Sequence, residues 1–238
     1  MRKLLFSFMA IAVATLALSS CVFNAVTPEG EYTSKSYELP TFENIYVSSG
    51  MELILTQDST VSVKVETYEN IHEYINVEVV DNTLRLSKDL EVSFRNAEIK
   101  VYVNIASLDE IEASSGSHLN LTAGWVAEEL DIDMSSGSSA QGNIEIKEFS
   151  LKMSSGSDAT FSGKAEKFTL GSSSGSTLNA FDLEAINCSA DLSSGSYAEV
   201  FATGFLYAES SSGASIKYKG TSQIEVKTGS GGSVNRAE

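Results

Sequence analysis

Two prolines, two cysteines, two histidines and a single tryptophan in 238 residues exclude several kinds of protein at the outset. With no CxxC and no Cys/His spacing there is no zinc site, and the one cysteine outside the N-terminal leader, Cys188, has no partner for an intramolecular disulfide. Positive charge is also scarce: 16 Lys and Arg stand against 32 Asp and Glu, a net charge of −16. Loss of Arg2 and Lys3 with a leader turns −16 into −18. Such a chain repels phosphate backbones, so nucleic acid is not an expected partner. There is no Gly-rich phosphate loop, no HExxH, no Gly-x-Ser-x-Gly and no Gly-rich Ca²⁺ nonapeptide. No cofactor or metal is therefore expected.

What is present begins with the N-terminus. Arg2 and Lys3 precede an apolar run, Leu4 to Leu18, that is too short and too N-terminal for a membrane span. The run closes on Leu18-Ser19-Ser20-Cys21, which resembles the bacterial lipobox. The resemblance implies a signal peptide over residues 1–20, lipidation of Cys21, and anchoring in the cell envelope at the outer membrane. Residues 22–27 lack an acidic run, so the surface and periplasmic sides both remain open. Residues 21–40 show no apolar periodicity and contain Pro28 and Pro40, and are expected to form a tether.

Glycine and serine are plentiful, and they recur at intervals. Ser-Ser-Gly occurs with its glycine at 50, 116, 137, 156, 175, 195 and 213, and a degenerate copy ends at Gly231. From Gly116 the spacings are 21, 19, 19, 20, 18 and 18. Five residues before each glycine stand Ile111, Ile132, Leu151, Leu170, Ala190, Ala208 and Val226. Three residues after stand Leu119, Ala140, Ala159, Leu178, Ala198, Ile216 and Val234, and seven before stand Leu130, Phe149, Phe168, Cys188, Leu206 and Ile224. Odd offsets are apolar and even offsets mostly polar, the period of two of a strand with one buried face. A helix is excluded, because Ser-Ser-Gly would break it in every repeat. Columns that keep their residue type predict in-register parallel strands stacked about 4.8 Å apart. The fold class is thus all-β, a parallel β-helix with coils of about 19 residues over 113–238, right-handed by the strong preference of parallel crossovers.

Continuing the alternation through the corner would turn the second serine inward (Ser115, Ser136, Ser155, Ser174, Ser194, Ser212), together with the serine after the glycine (Ser117, Ser138, Ser157, Ser176, Ser196). Their hydroxyls would then bond to one another up the stack. The glycine supplies a positive φ for the bend. Residues 41–112 are β-rich but less regular. Val77 and Val79 lead through Asp81-Asn82 to Leu84 and Leu86, a hairpin signature, and Ile71, Tyr74 and Ile75 mark a short helical turn. This half is expected to cap the stack, since an open solenoid end exposes its core.

The segment Phe42-Glu43-Asn44-Ile45-Tyr46-Val47-Ser48-Ser49-Gly50, the hairpin ending Asn82-Thr83-Leu84-Arg85-Leu86 and the Ser-Ser-Gly-Ser coils resemble the auto-transporter adhesin head domain family, called the GIN domain, over residues 41–225. The resemblance implies a β-helix, adhesion as the function, and a setting among lipoproteins of Bacteroides-like bacteria. It supplies no active-site residues. No membrane barrel follows the repeat in this sequence, so a lipid on Cys21 would take its place.

The search for chemistry returns little. Asp133, Asp158, Asp182 and Asp191 fall in different columns, unlike the clustered carboxylates of a glycosidase or lyase. Ser117 and His118 are strand neighbours and point to opposite faces. Trp125, in the irregular 21-residue spacing, and Tyr197, an outward aromatic by register, are the candidate ligand contacts. The function expected is non-enzymatic: a lipid-anchored binding or adhesion module taking a glycan or protein ligand. The alternatives are a polysaccharide-processing β-helix enzyme and a structural envelope protein that binds only protein.

Overall fold

The computed structural model describes residues 24–220 and 223–237. Cys21, the expected lipidation site, lies outside them. Among the described residues the only helical element is one 3-10 turn, Glu69–Tyr74, at the expected place. The strands of the first half are β1 (Asn24–Val26), β2 (Tyr32–Tyr37), β3 (Asn44–Val47), β4 (Glu52–Gln57), β5 (Ser62–Tyr68), β6 (Ile75–Val80), β7 (Thr83–Lys88), β8 (Val92–Phe94), β9 (Lys100–Ile105) and β10 (Glu110–Ala113). Five long strands follow: β11 (His118–Met134), β12 (Ser139–Met153), β13 (Asp158–Ser172), β14 (Thr177–Leu192) and β15 (Tyr197–Ser210). The last are β16 (Ser215–Lys219), β17 (Gln223–Thr228) and β18 (Ser233–Arg236).

Each long strand wraps most of one coil and pairs in parallel with the next, so the chain is a β-solenoid of about seven turns. Leu119, Ala140, Ala159, Leu178, Ala198, Ile216 and Val234 stack in one file, as the spacing predicts. The inner columns are buried through β11–β15, including Leu130, Phe149, Phe168, Cys188 and Leu206. Burial pushes the Cys188 thiol up to about 12 from its ordinary 9.0. The columns loosen at the C-terminal end: Ile224 and Val226 of β17 are 39% and 46% exposed, against the expectation for both, and Tyr218 and Val234 are half-buried. No described strand covers that coil on its outer side.

The corner is tighter than the alternation predicts. The second serine of the triplets has φ between 51° and 54° from Ser115 onward and 68° at Ser49, and the glycine between 71° and 78°. Two successive left-handed residues, with the following N–H donating to the first serine's carbonyl (Ser117 to Ser114, 3.1 Å), are the signature of a type I′ turn. That turn swings the second serine out, so Ser115, Ser136, Ser155, Ser174, Ser194 and Ser212 are exposed rather than buried. The serine after the glycine is buried, as expected. The hydroxyls do not form a file up the stack: Ser176 donates to the Ser173 carbonyl (2.7 Å) and Ser196 to that of Ser193 (2.8 Å), while the buried Ser138 and Ser157 hydroxyls have no protein partner among the described residues. The corner glycine N–H donates to the second serine's carbonyl one coil on, as Gly137 does to Ser155 (3.1 Å), which ties successive turns together.

The first half belongs to the stack. β3, the Ser49-Gly50 corner and β4 lie directly against β10 and β11 in the same register. On the far side β7 pairs β3 and β9 pairs β4; β6 then closes antiparallel on β7 and β5 on β9, the cap expected of this half. The stretch expected to be a tether is not free from Asn24 onward. β1 pairs β8, and β2 pairs antiparallel with β5, with Tyr32 edge-on to Tyr68 at 5.4 Å. β2 buries little apolar surface and is held by backbone pairing at an edge, so no hydrophobic period marks it.

Candidate functional site

Parallel stacking turns a choice made at one position into a column on the surface. In coils β11–β14, the face that follows the corner presents three outward columns. The first holds His118, Ser139, Asp158 and Thr177; the second Asn120, Gln141, Thr160 and Asn179; the third Thr122, Asn143, Ser162 and, at a bulge, Phe181 with Asp182. Of these thirteen side chains only Asp158 and Asp182 are carboxylates, and there is no Lys or Arg. Beyond this face the alternation slips where two exposed residues adjoin, as at Glu128-Glu129 and Lys147-Glu148. The remaining outward positions of the same coils, Val126 to Asp133 and their equivalents, number twenty. Charged residues occupy four, four, three and two of them in successive coils, thirteen in all. The charged side chains of these coils thus lie mainly off the first face.

Stacking does not require that neutrality. Like charges about 4.8 Å apart repel, yet the other surfaces stack while charged: some neighbours are paired in sign, as Lys147 with Glu128 at 2.6 Å and Lys167 with Glu148 at 2.9 Å, and others, such as Glu129 on Glu148, stack acid on acid. On the first face the second column is also unengaged. Among the described residues Asn120, Gln141, Thr160 and Asn179 make no side-chain hydrogen bond, whereas the third column is tied down, Thr122 to the Leu55 carbonyl (2.8 Å) and Asn143 to Ser162 (3.0 Å). The backbone beneath is consumed by the parallel ladder. A shallow depression of about 450 Å³ lies over these columns, lined by Asn120, Ser139, Gln141, Asp158 and Thr160.

Aromatic groups stand at both ends of the face. Toward the C-terminus Tyr197 continues the first column, half-buried, its hydroxyl donating to Glu199 Oε1 at 2.6 Å. Burial and that bond hold its pKa above the usual phenol value. Phe181 and Phe201 share one cation: Lys219 Nζ is 5.4 Å and 4.9 Å from their ring centres, and Lys217 Nζ is 5.7 Å from the Tyr197 ring. At the other end Tyr102 of β9 lies under Lys64 Nζ (4.5 Å), beside a depression of about 640 Å³ bounded by residues 38–41. Phe181 and Phe201 escaped the sequence reading. The signal for them was aromatic residues six after Gly175 and Gly195, in a column that is otherwise polar.

Tyr197 is therefore outward, where its register put it. Trp125 is not a ligand contact: it is 0% exposed, because the register of β11 against β12 shifts between Leu121 and Trp125 and turns the indole inward beside Ile144. Ser117 is buried and His118 exposed, so they do not cooperate. His118 Nδ1 instead contacts the Ser139 hydroxyl one coil on, and among the described residues no carboxylate is hydrogen-bonded to its other ring nitrogen, so the pair lacks the orienting third member of a hydrolase triad. Asp133 pairs with Lys152 at 3.8 Å. Among the described residues no three His, Cys, Asp or Glu side chains are placed to hold a metal ion, and no helix is long and apolar enough to cross a membrane.

The same solenoid occurs in solved structures. A putative adhesin from Bacteroides fragilis superposes with a TM-score of 0.84 at 22% identity, covering 89% of this chain and all of that one. A putative lipid binding protein and a putative adhesin, both from Parabacteroides distasonis, superpose with TM-scores of 0.74 and 0.70 at 18% and 21% identity, each covering 90% of this chain and all of its own. At these identities the likeness is one of fold. No curated protein matches the chain. The family described as "putative auto-transporter adhesin, head GIN domain" matches residues 41–222, the first coil, the cap and the stack together, and the chain belongs to that family.

Proposed function

We propose that the chain is a non-enzymatic binding module of the adhesion type, held in the cell envelope by a lipid on Cys21, with the face after the corner as its ligand surface. The observation that carries this reading is the contrast between that face and the rest: hydrogen-bonding side chains with few charges, on a rigid ladder, between aromatic ends. Such a surface binds by many modest contacts. It lacks the convergent acid, base and nucleophile that lower a barrier. Family membership and the adhesins among the structural neighbours support the same reading. The anchor rests on the lipobox-like Leu18-Ser19-Ser20-Cys21.

The test pairs a glycan array with a polysaccharide-degradation screen on the mature chain. Binding without product supports the module. Reproducible release of new reducing ends or unsaturated sugars, lost in Asp133→Asn or His118→Ala, would overturn it.

A further inference from the structure

Resting on that reading, we infer that the ligand is a neutral, linear, extended polysaccharide that runs along the stack axis over the first face, roughly one sugar to each coil. Four observations converge on it. The face advances by one strand spacing per coil, about 4.8 Å, and an extended chain of equatorially linked pyranoses advances by close to the same step per residue. The unengaged column Asn120, Gln141, Thr160 and Asn179 offers one hydrogen-bonding side chain at each step, three of them amides that donate and accept toward hydroxyls. Tyr197, Phe181 and Phe201 lie at one end and Tyr102 at the other, where the apolar face of a sugar ring can pack. The fourth is charge.

Other ligands fit less well. An anionic polymer would meet Glu52, Asp158, Asp182 and Glu199 along the face, with Lys64, Lys217 and Lys219 only at its two ends, within a chain of net charge −16. An extended peptide adding as a strand needs unpaired backbone, and here the ladder uses it. An acyl chain needs an apolar groove, and no aliphatic side chain points outward on this face from His118 to Asn179. The other outer surfaces stack equally well while charged, so the neutrality of this one is not a packing requirement.

The experiment titrates the mature chain with β-1,4-linked gluco-, manno- and N-acetylglucosamine oligomers from dimer to octamer, with oligogalacturonates as the charged counterpart. In at least one neutral series affinity should climb with length until the oligomer spans the face from Asn120 to Tyr197, five coils or four steps of about 4.8 Å, roughly 19 Å, and then level off. It should change little with salt. Gln141→Ala and Asn179→Ala should each weaken binding about two- to tenfold, the range for one lost hydrogen bond. Tyr197→Ala should act similarly, and Glu145→Ala, on the charged surface, should leave binding unchanged. Unchanged melting temperatures confirm that the variants are folded. Preferential, salt-sensitive binding of oligogalacturonate, or neutral binding indifferent to Gln141, Asn179 and Tyr197, would overturn the inference while leaving a glycan-binding module. Binding that does not grow beyond the dimer would overturn the axial path. No binding to any oligomer here, with a protein captured instead in the wider screen, would overturn the inference and move the ligand surface to a protein partner.

Discussion

Gly156→Ala and Gly163→Ala add the same methyl group a few residues apart, yet they meet different physics. Gly156 sits in a corner at φ +71° with open space around a built Cβ. Its substitution costs only the left-handed backbone penalty, about 1–2 kcal/mol, reduced by the smaller entropy of the unfolded alanine chain, about 0.4–1 kcal/mol. Gly163 lies inside β13 at φ +110°, and its Cβ would fall 2.0 Å from the Ile144 carbonyl oxygen. That oxygen belongs to the inter-coil ladder and cannot retreat without breaking it. Backbone strain of about 1–3 kcal/mol then adds to overpacking of about 1–3 kcal/mol and to roughly one lost ladder hydrogen bond. For a chain of this length 1 kcal/mol corresponds to roughly 2–4 °C. We expect Gly156→Ala to lower the melting temperature by about 2–5 °C and Gly163→Ala by more than about 8 °C, followed by circular dichroism. Gly220→Ala repeats the clash against the Ala202 oxygen, also at 2.0 Å, near the end of the stack, and serves if the Gly163 variant does not fold. Equal shifts for the corner and in-strand variants would refute the argument that the corner glycine is needed for φ alone.

Ala159 is 5% exposed between Ala140 and Leu178, so Ala159→Asp should cost several kcal/mol, while Thr160→Asp, outward on the same strand, should change stability by less than about 0.5 kcal/mol; equal melting shifts would contradict the register. Cys188 should resist a bulky thiol reagent until the protein is denatured. Its raised pKa also sets a direction: above pH 9 the unfolded thiol loses its proton while the folded one keeps it, so stability falls by up to about 1.4 kcal/mol per pH unit toward pH 12, and this component of the alkaline slope should vanish in Cys188→Ala. Cys21→Ala should release the exported protein from the membrane fraction, and a fatty-acid probe still labelling that variant would refute the anchor.

The inner columns were legible because a strand shows its face at every second residue and the coil repeats that face every 19 or so. Where either rule is suspended the reading failed. At the corner, two left-handed residues break the alternation, and a non-glycine residue in that conformation carries no compositional mark, so Ser155 reads as inward and is outward. At Trp125 the extra length of the coil is absorbed as a register shift, and the side chain changes face. β2 is stabilised by edge pairing, which hydrophobicity does not report.

The ligand face was hidden for another reason. Its residues are ordinary in sequence, since Asn, Gln, Thr and Ser are what any exposed strand carries. They become informative only against the other outer positions of the same coils, and that contrast needs the slip at Glu128-Glu129, Lys147-Glu148 and Glu166-Lys167 to separate one surface from the next. Once they are separated, the charged side chains of these coils prove to be unevenly placed, two among the thirteen on the first face against thirteen of twenty elsewhere. Repulsion among the charges on the other surfaces is eased by cross-coil pairs such as Lys147–Glu128, which are exposed and screened by solvent. The first face needs no such compensation, so its amides and hydroxyls, above all the column from Asn120 to Asn179, stay free to bond outward.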